Sequence, residues 1–539
     1  MTSTRRANRA ASAAAAFLTI VGTGAIAPLG RQPVPASGPA PSASSASPAP
    51  SAARAVPIAA QPAGRGRAPA PQVPPSVQRL RRDIDDIVSA PVLAAGTWGI
   101  AVRSLSRGEP LYARNAEKLL VPSSNMKILT LAAAAERLGW DYTYETRLIA
   151  AGPIAGGVLD GDLIVVGSGD PSIDDWDGRA TELFRDWASQ LETAGVRTIS
   201  GRVVGDDNAF EEEGFGAGWS WDDLDRSYAA SVGALQFNEN TAQLTVKPGA
   251  APGDEAVVSA APDGAGLIVR NLVKTAARGS RTTLATERRP GGTALEIRGT
   301  IAVGAAPIVR NVSVVNPTLY FVNELRTALA ADGIDVRGAA VDIDDLTAAP
   351  ARAEGPPLVA YRSPPLSELA STMMRLSQNL YAETLLKTLG LSAGAPNDAG
   401  GIAEIRRVMD EWNIPSLGYV EADGSGLSRS NLATADTIVS VLAHVDGDRR
   451  LRDLFRATLP IAGRSGTLEG RMRGTPAVGN ARAKTGSLTN ARALSGYVSS
   501  AEGEPLAFAI LANNFGIPPE RVDEAADAIV ARLASFSRK

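Results

Sequence analysis

The 539-residue chain contains no cysteine. Thiol nucleophiles, disulfides and thiolate metal sites are therefore excluded. It contains one histidine, His444, inside the helical-looking stretch 433–445. A zinc hydrolase draws two or three histidines into its ligand set, so that class is not expected. A Ser-His-Asp triad would have to use His444, and an ordinary helix-face histidine is the simpler reading. Excess charge is also missing: the formal net charge is −3, which gives no pull toward nucleic acid. A hydrolase built from this chain must find its base elsewhere, and lysine is the main candidate left.

What is present starts with an export-type N-terminus. Arg5, Arg6 and Arg9 precede a small apolar run, Ala10 to Ala27, ending in Ala25-Ile26-Ala27, a small-x-small site. Pro28 disfavours cleavage directly after it, and the run is nearly long enough to serve as a membrane anchor instead. Residues 1–30 are thus expected to be a signal peptide or an N-terminal anchor. Residues 31–76 are dominated by Pro, Ala and Ser and read as a disordered linker. Either way the bulk of the chain is expected outside the cytoplasm, periplasmic or in the cell wall, with membrane association only peripheral or through the N-terminus.

Hydrophobic residues make up 44% of the chain, enough for two or three cored domains. Val77, Leu80, Ile84, Ile87 and Val88 recur at helical spacing. Strands are expected at 97–104 and from Pro110, and a helix over 128–138 stopped by Gly139. Beyond Trp140 the texture becomes β-rich, with one clear helix at 180–194. Trp219, Trp221, Asp222 and Asp223 could bind sugar or peptide, though a buried aromatic turn is the blander account. From Leu358 longer elements return: helices at 365–376 and 380–389, the latter ending at Gly390, strands at 478–483, 491–498 and 506–512, and a closing amphipathic helix. The last strands need the first ones as partners. The expectation is therefore an α+β fold: a discontinuous domain of residues 77–147 and 355–539, interrupted by a β-rich insertion, residues 148–354, of two subdomains.

Three short motifs occur in order: Ser124-Asn-Met-Lys127 opening a helix, Ser377-Gln-Asn379 between two helices, and Lys484-Thr485-Gly486 at a strand end. Positions i and i+3 share a helix face, so Ser124 and Lys127 are expected side by side on a first turn. A serine becomes a nucleophile when a base is close, and a deprotonated lysine can be that base. Alone, each motif has an ordinary reading: a capped helix with a surface lysine, Ser377 and Asn379 as helix caps, Lys484 as a solvated charge. The ordered set matches S-x-x-K, S-x-N and K-T-G of penicillin-binding proteins and class A β-lactamases, with Gln378 where Asp is usual. Ser377 follows Ser124 by 253 residues, and Lys484 follows Ser377 by 107.

That spacing, together with Asp423-Gly-Ser-Gly-Leu-Ser428 and Ser465-Gly-Thr-Leu468, resembles the low-molecular-mass class C penicillin-binding proteins. This is the D-alanyl-D-alanine carboxypeptidase/endopeptidase group, peptidase family S13, and the resemblance runs from about Val77 to Arg532. It implies a serine β-lactamase/transpeptidase-like domain, an antiparallel sheet flanked by helices. It implies a penicillin-binding serine-type D-Ala-D-Ala carboxypeptidase, also a DD-endopeptidase, that needs no cofactor or metal. Its partners would be peptidoglycan stem peptides ending in D-Ala-D-Ala and β-lactam antibiotics, not nucleic acid. Ser124 would form the acyl-enzyme, Lys127 would take its proton, and desolvation together with the charge of Lys484 would lower the Lys127 pKa. Ser377 would relay a proton to the leaving amine and Asn379 would hold the substrate amide. Lys484, Thr485, Gly486 and Ser487 would receive the terminal carboxylate. Transpeptidase or β-lactamase activity, or a non-catalytic wall-binding protein of the same fold, remain alternatives.

Overall fold

A computed structural model describes residues 73–176, 178–211, 214–352 and 355–539. The expected signal segment and linker, apart from residues 73–76, lie outside the described residues. The helix Pro75–Val88 starts just inside the expected linker, with proline at its first position, where a missing N–H costs nothing. Its buried face is Val77, Leu80, Ile84 and Val88. No helix of the described residues is long and apolar enough to cross a membrane.

The main sheet has five antiparallel strands in the spatial order Pro110–Arg114, Thr97–Ser104, Pro505–Asn513, Ala491–Ser499, Arg482–Leu488. Thr97 pairs with Asn513 and Ser104 with Leu506, so the two ends of the chain meet at its centre. Strand 505–513 is buried from Leu506 onward, as a nearly unbroken apolar run on a doubly covered strand must be. Alternation sorts its side chains. Ala507, Ala509 and Leu511 join the core around the helices Met126–Leu138 and Ala435–Gly447. Ile510 and Ala512 face the closing helix Pro519–Ala534 on the other side. Residues 126–135 are all buried, so this helix is enclosed by neighbours rather than laid on a surface.

The insertion holds two further cores. One lies between the sheet ordered 340–342, 203–206, 162–166, 145–151, 359–362 and the helices Arg179–Thr193 and Pro317–Ala331. Phe184, Trp187, Phe237 and Phe321 pack together there. The second lies between two three-stranded sheets around Leu244, Val246, Val273, Leu295, Ile297 and Val312.

Four expectations need correction. The insertion contains a second long helix, Pro317–Ala331, whose Asn316 cap accepts from the Leu319 N–H at 2.7 Å. Gly390 does not stop its helix, which runs to Ser392; a Cβ at 390 would lie 2.3 Å from the Ala395 carbonyl, so this glycine serves close packing. Lys484-Thr485-Gly486 sits inside strand Arg482–Leu488 rather than at a strand end. Finally, strand Glu145–Ala151 straddles the expected boundary at 148 and pairs with Val359–Arg362, beyond the one at 355.

Candidate active site

Ser124 lies in a 3-10 turn, Ser123–Asn125, from which the buried helix Met126–Leu138 continues. No side chain in this turn caps the helix. Asn125 instead donates through Nδ2 to Ser495 Oγ at 2.7 Å, pinning the turn to the central sheet. One helical step on, Lys127 is wholly buried while Ser124 is part-exposed. Lys127 Nζ lies 3.1 Å from Ser124 Oγ, 2.6 Å from Asn379 Oδ1 and 2.8 Å from the Ser425 carbonyl. The two carbonyl oxygens can only accept. A neutral amine has two N–H donors, which they take, and one lone pair, which is left for the Ser124 hydroxyl.

Burial brings the Lys127 pKa from 10.5 down to about 7, against the opposing pull of Glu383 and Asp423. Of the two expected causes, desolvation is the one that lowers it; the charge of Lys484 is not. Lys484, also wholly buried, is held well below the usual lysine range by burial and then by the charge of Lys127.

Ser377 ends the helix Leu366–Leu376 with φ 60°, a left-handed position where glycine is usual. Lys484 Nζ donates to Ser377 Oγ at 2.8 Å and to the Thr485 carbonyl at 2.8 Å. Neither Ser377 nor Asn379 caps the next helix; Gln378 does, accepting from the Leu380 N–H at 3.2 Å. Asn379 opens that helix, and its Nδ2 donates to the Tyr228 carbonyl of the insertion at 2.7 Å. Thr485 is bonded to Thr467 at 2.8 Å, which gives the Ser465-Gly-Thr-Leu468 stretch its place.

The strand carrying these residues is the edge of the sheet. The Ala483 N–H donates outward to the Pro460 carbonyl, so alternation turns the N–H groups of Thr485 and Ser487 to the same open side. Ser487 is exposed there. A Cβ on Gly486 would lie 2.8 Å from the Pro122 carbonyl and 3.0 Å from the Ser123 Cβ, so glycine lets this strand close on the turn that presents Ser124.

All the predicted residues thus fall in one region. Sequence reasoning did not single out Ser425, Tyr228, Thr467 or Glu383. Glu383 had a signal: it lies four residues after Asn379, on the same helix face. Trp221 is 57% exposed, which removes the buried-turn account for that residue. The three carboxylates grouped closely enough for an ion among the described residues, Asp207, Asp342 and Asp344, belong to the insertion. Asp207 accepts from Thr318 and Asp342 from Asn316.

The model of the D-Ala-D-Ala carboxypeptidase 3 (S13) family matches residues 80–536. A D-alanyl-D-alanine carboxypeptidase of Actinomadura sp. (strain R39) is 35% identical over 472 residues, 85% of each chain. D-alanyl-D-alanine carboxypeptidase DacB of Haemophilus influenzae is 26% identical over 422 residues, 77% of this chain and 85% of the relative. The crystal structure of penicillin binding protein 4 from Haemophilus influenzae shares the fold, with TM-score 0.74 and 24% identity over 84% of this chain and 99% of that one. With a match spanning all three motifs and both halves of the discontinuous sheet, the chain belongs to the D-Ala-D-Ala carboxypeptidase 3 (S13) family.

Proposed function

We propose that Ser124 is the nucleophile of this serine-type D-Ala-D-Ala carboxypeptidase and that Lys127 is its base. One observation carries the reading: a buried amine, bonded to two obligate acceptors, has only its lone pair left for Ser124 Oγ at 3.1 Å. The Ser124 oxygen attacks the carbonyl carbon between the two D-alanines as its proton passes to Lys127. The N–H groups of Ser124 and Ser487 receive the oxyanion, a contribution of about 3 kcal/mol per donor. The C–N bond then breaks, and the leaving amine takes a proton through Ser377, which Lys484 holds in place. Lys484, Thr485 and Ser487 bind the terminal carboxylate on the open edge of the strand, where Gly486 permits the close approach. Asn379 orients the substrate amide. Water hydrolyses the acyl ester and regenerates Ser124.

The substrate is a peptidoglycan stem peptide ending in D-Ala-D-Ala, and a β-lactam acylates the same serine. The family assignment, the curated relatives' names and the penicillin-binding protein fold support this. DD-endopeptidase action on cross-links follows from the same chemistry when the leaving amine belongs to a neighbouring stem. An extracellular or periplasmic site of action follows from the substrate, with residues 1–30 as the export segment. Intact-protein mass spectrometry after penicillin treatment tests the reading. A single adduct on the peptide holding Ser124, lost in Ser124→Ala, is the expected result; an adduct that survives this substitution refutes it.

A further inference from the structure

Beneath Ser124 lies a second polar layer. Glu383, one turn along the helix from Asn379, is almost completely buried. Its Oε2 accepts the Gly424 N–H at 2.9 Å and its Oε1 accepts the Ser425 N–H at 2.8 Å. The Ser425 carbonyl in turn accepts from Lys127 Nζ at 2.8 Å. One carboxylate therefore fixes the very residue whose carbonyl the amine is bonded to. Thr130, on the Lys127 helix, donates to the Gly424 carbonyl at 2.7 Å. Asp423 closes the loop on itself, accepting from the Gly426 N–H at 2.7 Å and from Asn431 Nδ2 at 2.7 Å. The loop is wedged as well as bonded. A Cβ at Gly424 would lie 2.7 Å from the Ala382 carbonyl, and one at Gly426 1.9 Å from the Ser123 carbonyl.

We propose that Glu383 is a positioning residue for the reaction, setting both the place and the proton affinity of Lys127; this deepens, and rests on, the reading of Lys127 as the base. Two opposed forces act on the amine. Burial drives the proton off, and a carboxylate in the same dry interior holds it on. The groups facing Glu383 are few. They are Lys127 from the helix Met126–Leu138, Asp423 from the loop, and Asp398, which is paired with Lys387 at 3.1 Å. Burial and the charge of Asp423 push the Glu383 carboxyl up, while its two backbone N–H bonds and the neighbouring Lys127 ammonium favour the ionised form. Glu383 does not touch the substrate in this arrangement. It acts through the amine and through the Ser425 peptide.

Two substitutions separate the charge from the hydrogen bonds. Glu383→Gln removes the charge and offers one acceptor for two N–H groups. Glu383→Asp keeps the charge but withdraws it from the loop. The readout is kcat/KM for D-Ala release from a pentapeptide, followed from about pH 5 to about pH 10. In Glu383→Gln the acidic limb moves to lower pH by about one unit, because the lysine loses its proton more readily. In Glu383→Asp the limb stays within about 0.3 unit of the parent while the plateau falls. A purely structural role lowers the plateau in both and moves the limb in neither, and that outcome overturns the proposal. Should the Gln variant not fold, Lys127→Met carries the reciprocal test. Removing the ammonium raises the Glu383 titration midpoint by about one unit, read by carboxyl carbon NMR, since coupling acts equally in both directions. An unmoved midpoint overturns the proposal. A Lys127→Met protein that still acylates with penicillin defeats the base assignment itself; an inactive one with an unmoved limb in Glu383→Gln defeats only the role of Glu383.

Discussion

Lowering the pH should disarm Ser124 through Lys127. The folded-state pKa of this lysine is depressed to about 7, so the base is present above that value and is lost as pH falls through it. Half the molecules carry the neutral amine near pH 7, and each unit below costs about tenfold in the competent fraction. An unperturbed lysine at about 10.4 would leave only about one molecule in 2,500 competent at neutral pH. The net shift is thus worth roughly 5 kcal/mol of preparation, what remains of the burial effect after Glu383 and Asp423 have offset part of it. The assay is the second-order rate of acylation by a fluorescent β-lactam, measured by stopped flow across the pH range. The expected profile climbs with unit slope up to pH about 7 and then levels. Lys127→Arg should lose at least about a thousandfold at every pH, because a guanidinium stays protonated. A wild-type rate that keeps climbing tenfold per unit through pH 9 or so would show an unshifted lysine and refute the reasoning.

Three further outcomes are expected. Ser377→Ala removes the acceptor of Lys484 Nζ at 2.8 Å and should lower kcat/KM for D-Ala release by about a hundredfold, with the melting temperature little changed. Gly426→Ala meets both a left-handed φ of 84° and a contact of 1.9 Å with the Ser123 carbonyl. It should cost about 2–4 kcal/mol, seen as an earlier denaturation midpoint together with impaired acylation. Trp187→Ala opens a cavity in the first insertion core and should cost about 3–5 kcal/mol by thermal melt. Acylation by penicillin at low temperature should persist in that variant, because Trp187 packs in the insertion core and against Tyr361, not against the residues around Ser124.

The candidate set around Ser124 was legible because its residues are tied to short local patterns. Ser124 and Lys127 lie one helical turn apart, and each triplet keeps its neighbours in sequence. The sheet was legible through strand 505–513, whose apolar run demands cover on both faces. What stayed hidden depends on long-range approach. Gly390 reads locally as a stop, and only the Ala395 and Asn397 carbonyls packed against it show why the helix continues. Gln378 rather than Ser377 or Asn379 takes the capping role, a choice decided by the left-handed turn at Ser377. Of the two causes expected for the Lys127 shift, desolvation acts, while the charge of Lys484 is not among those that lower it. Pro317–Ala331 was the avoidable miss, since Asn316-Pro317 is a cap followed by a first-position proline.

Pairing of strand 97–104 with strand 505–513 has a consequence for how the enzyme comes into being. Synthesis runs from the N-terminus, yet the floor under Ser124 cannot be laid until the last of these strands has left the ribosome. Contacts so distant along the chain close slowly. The nascent polypeptide therefore lacks the sheet beneath Ser124 for most of its synthesis, and the site is assembled only once strand 505–513 pairs back onto strand 97–104.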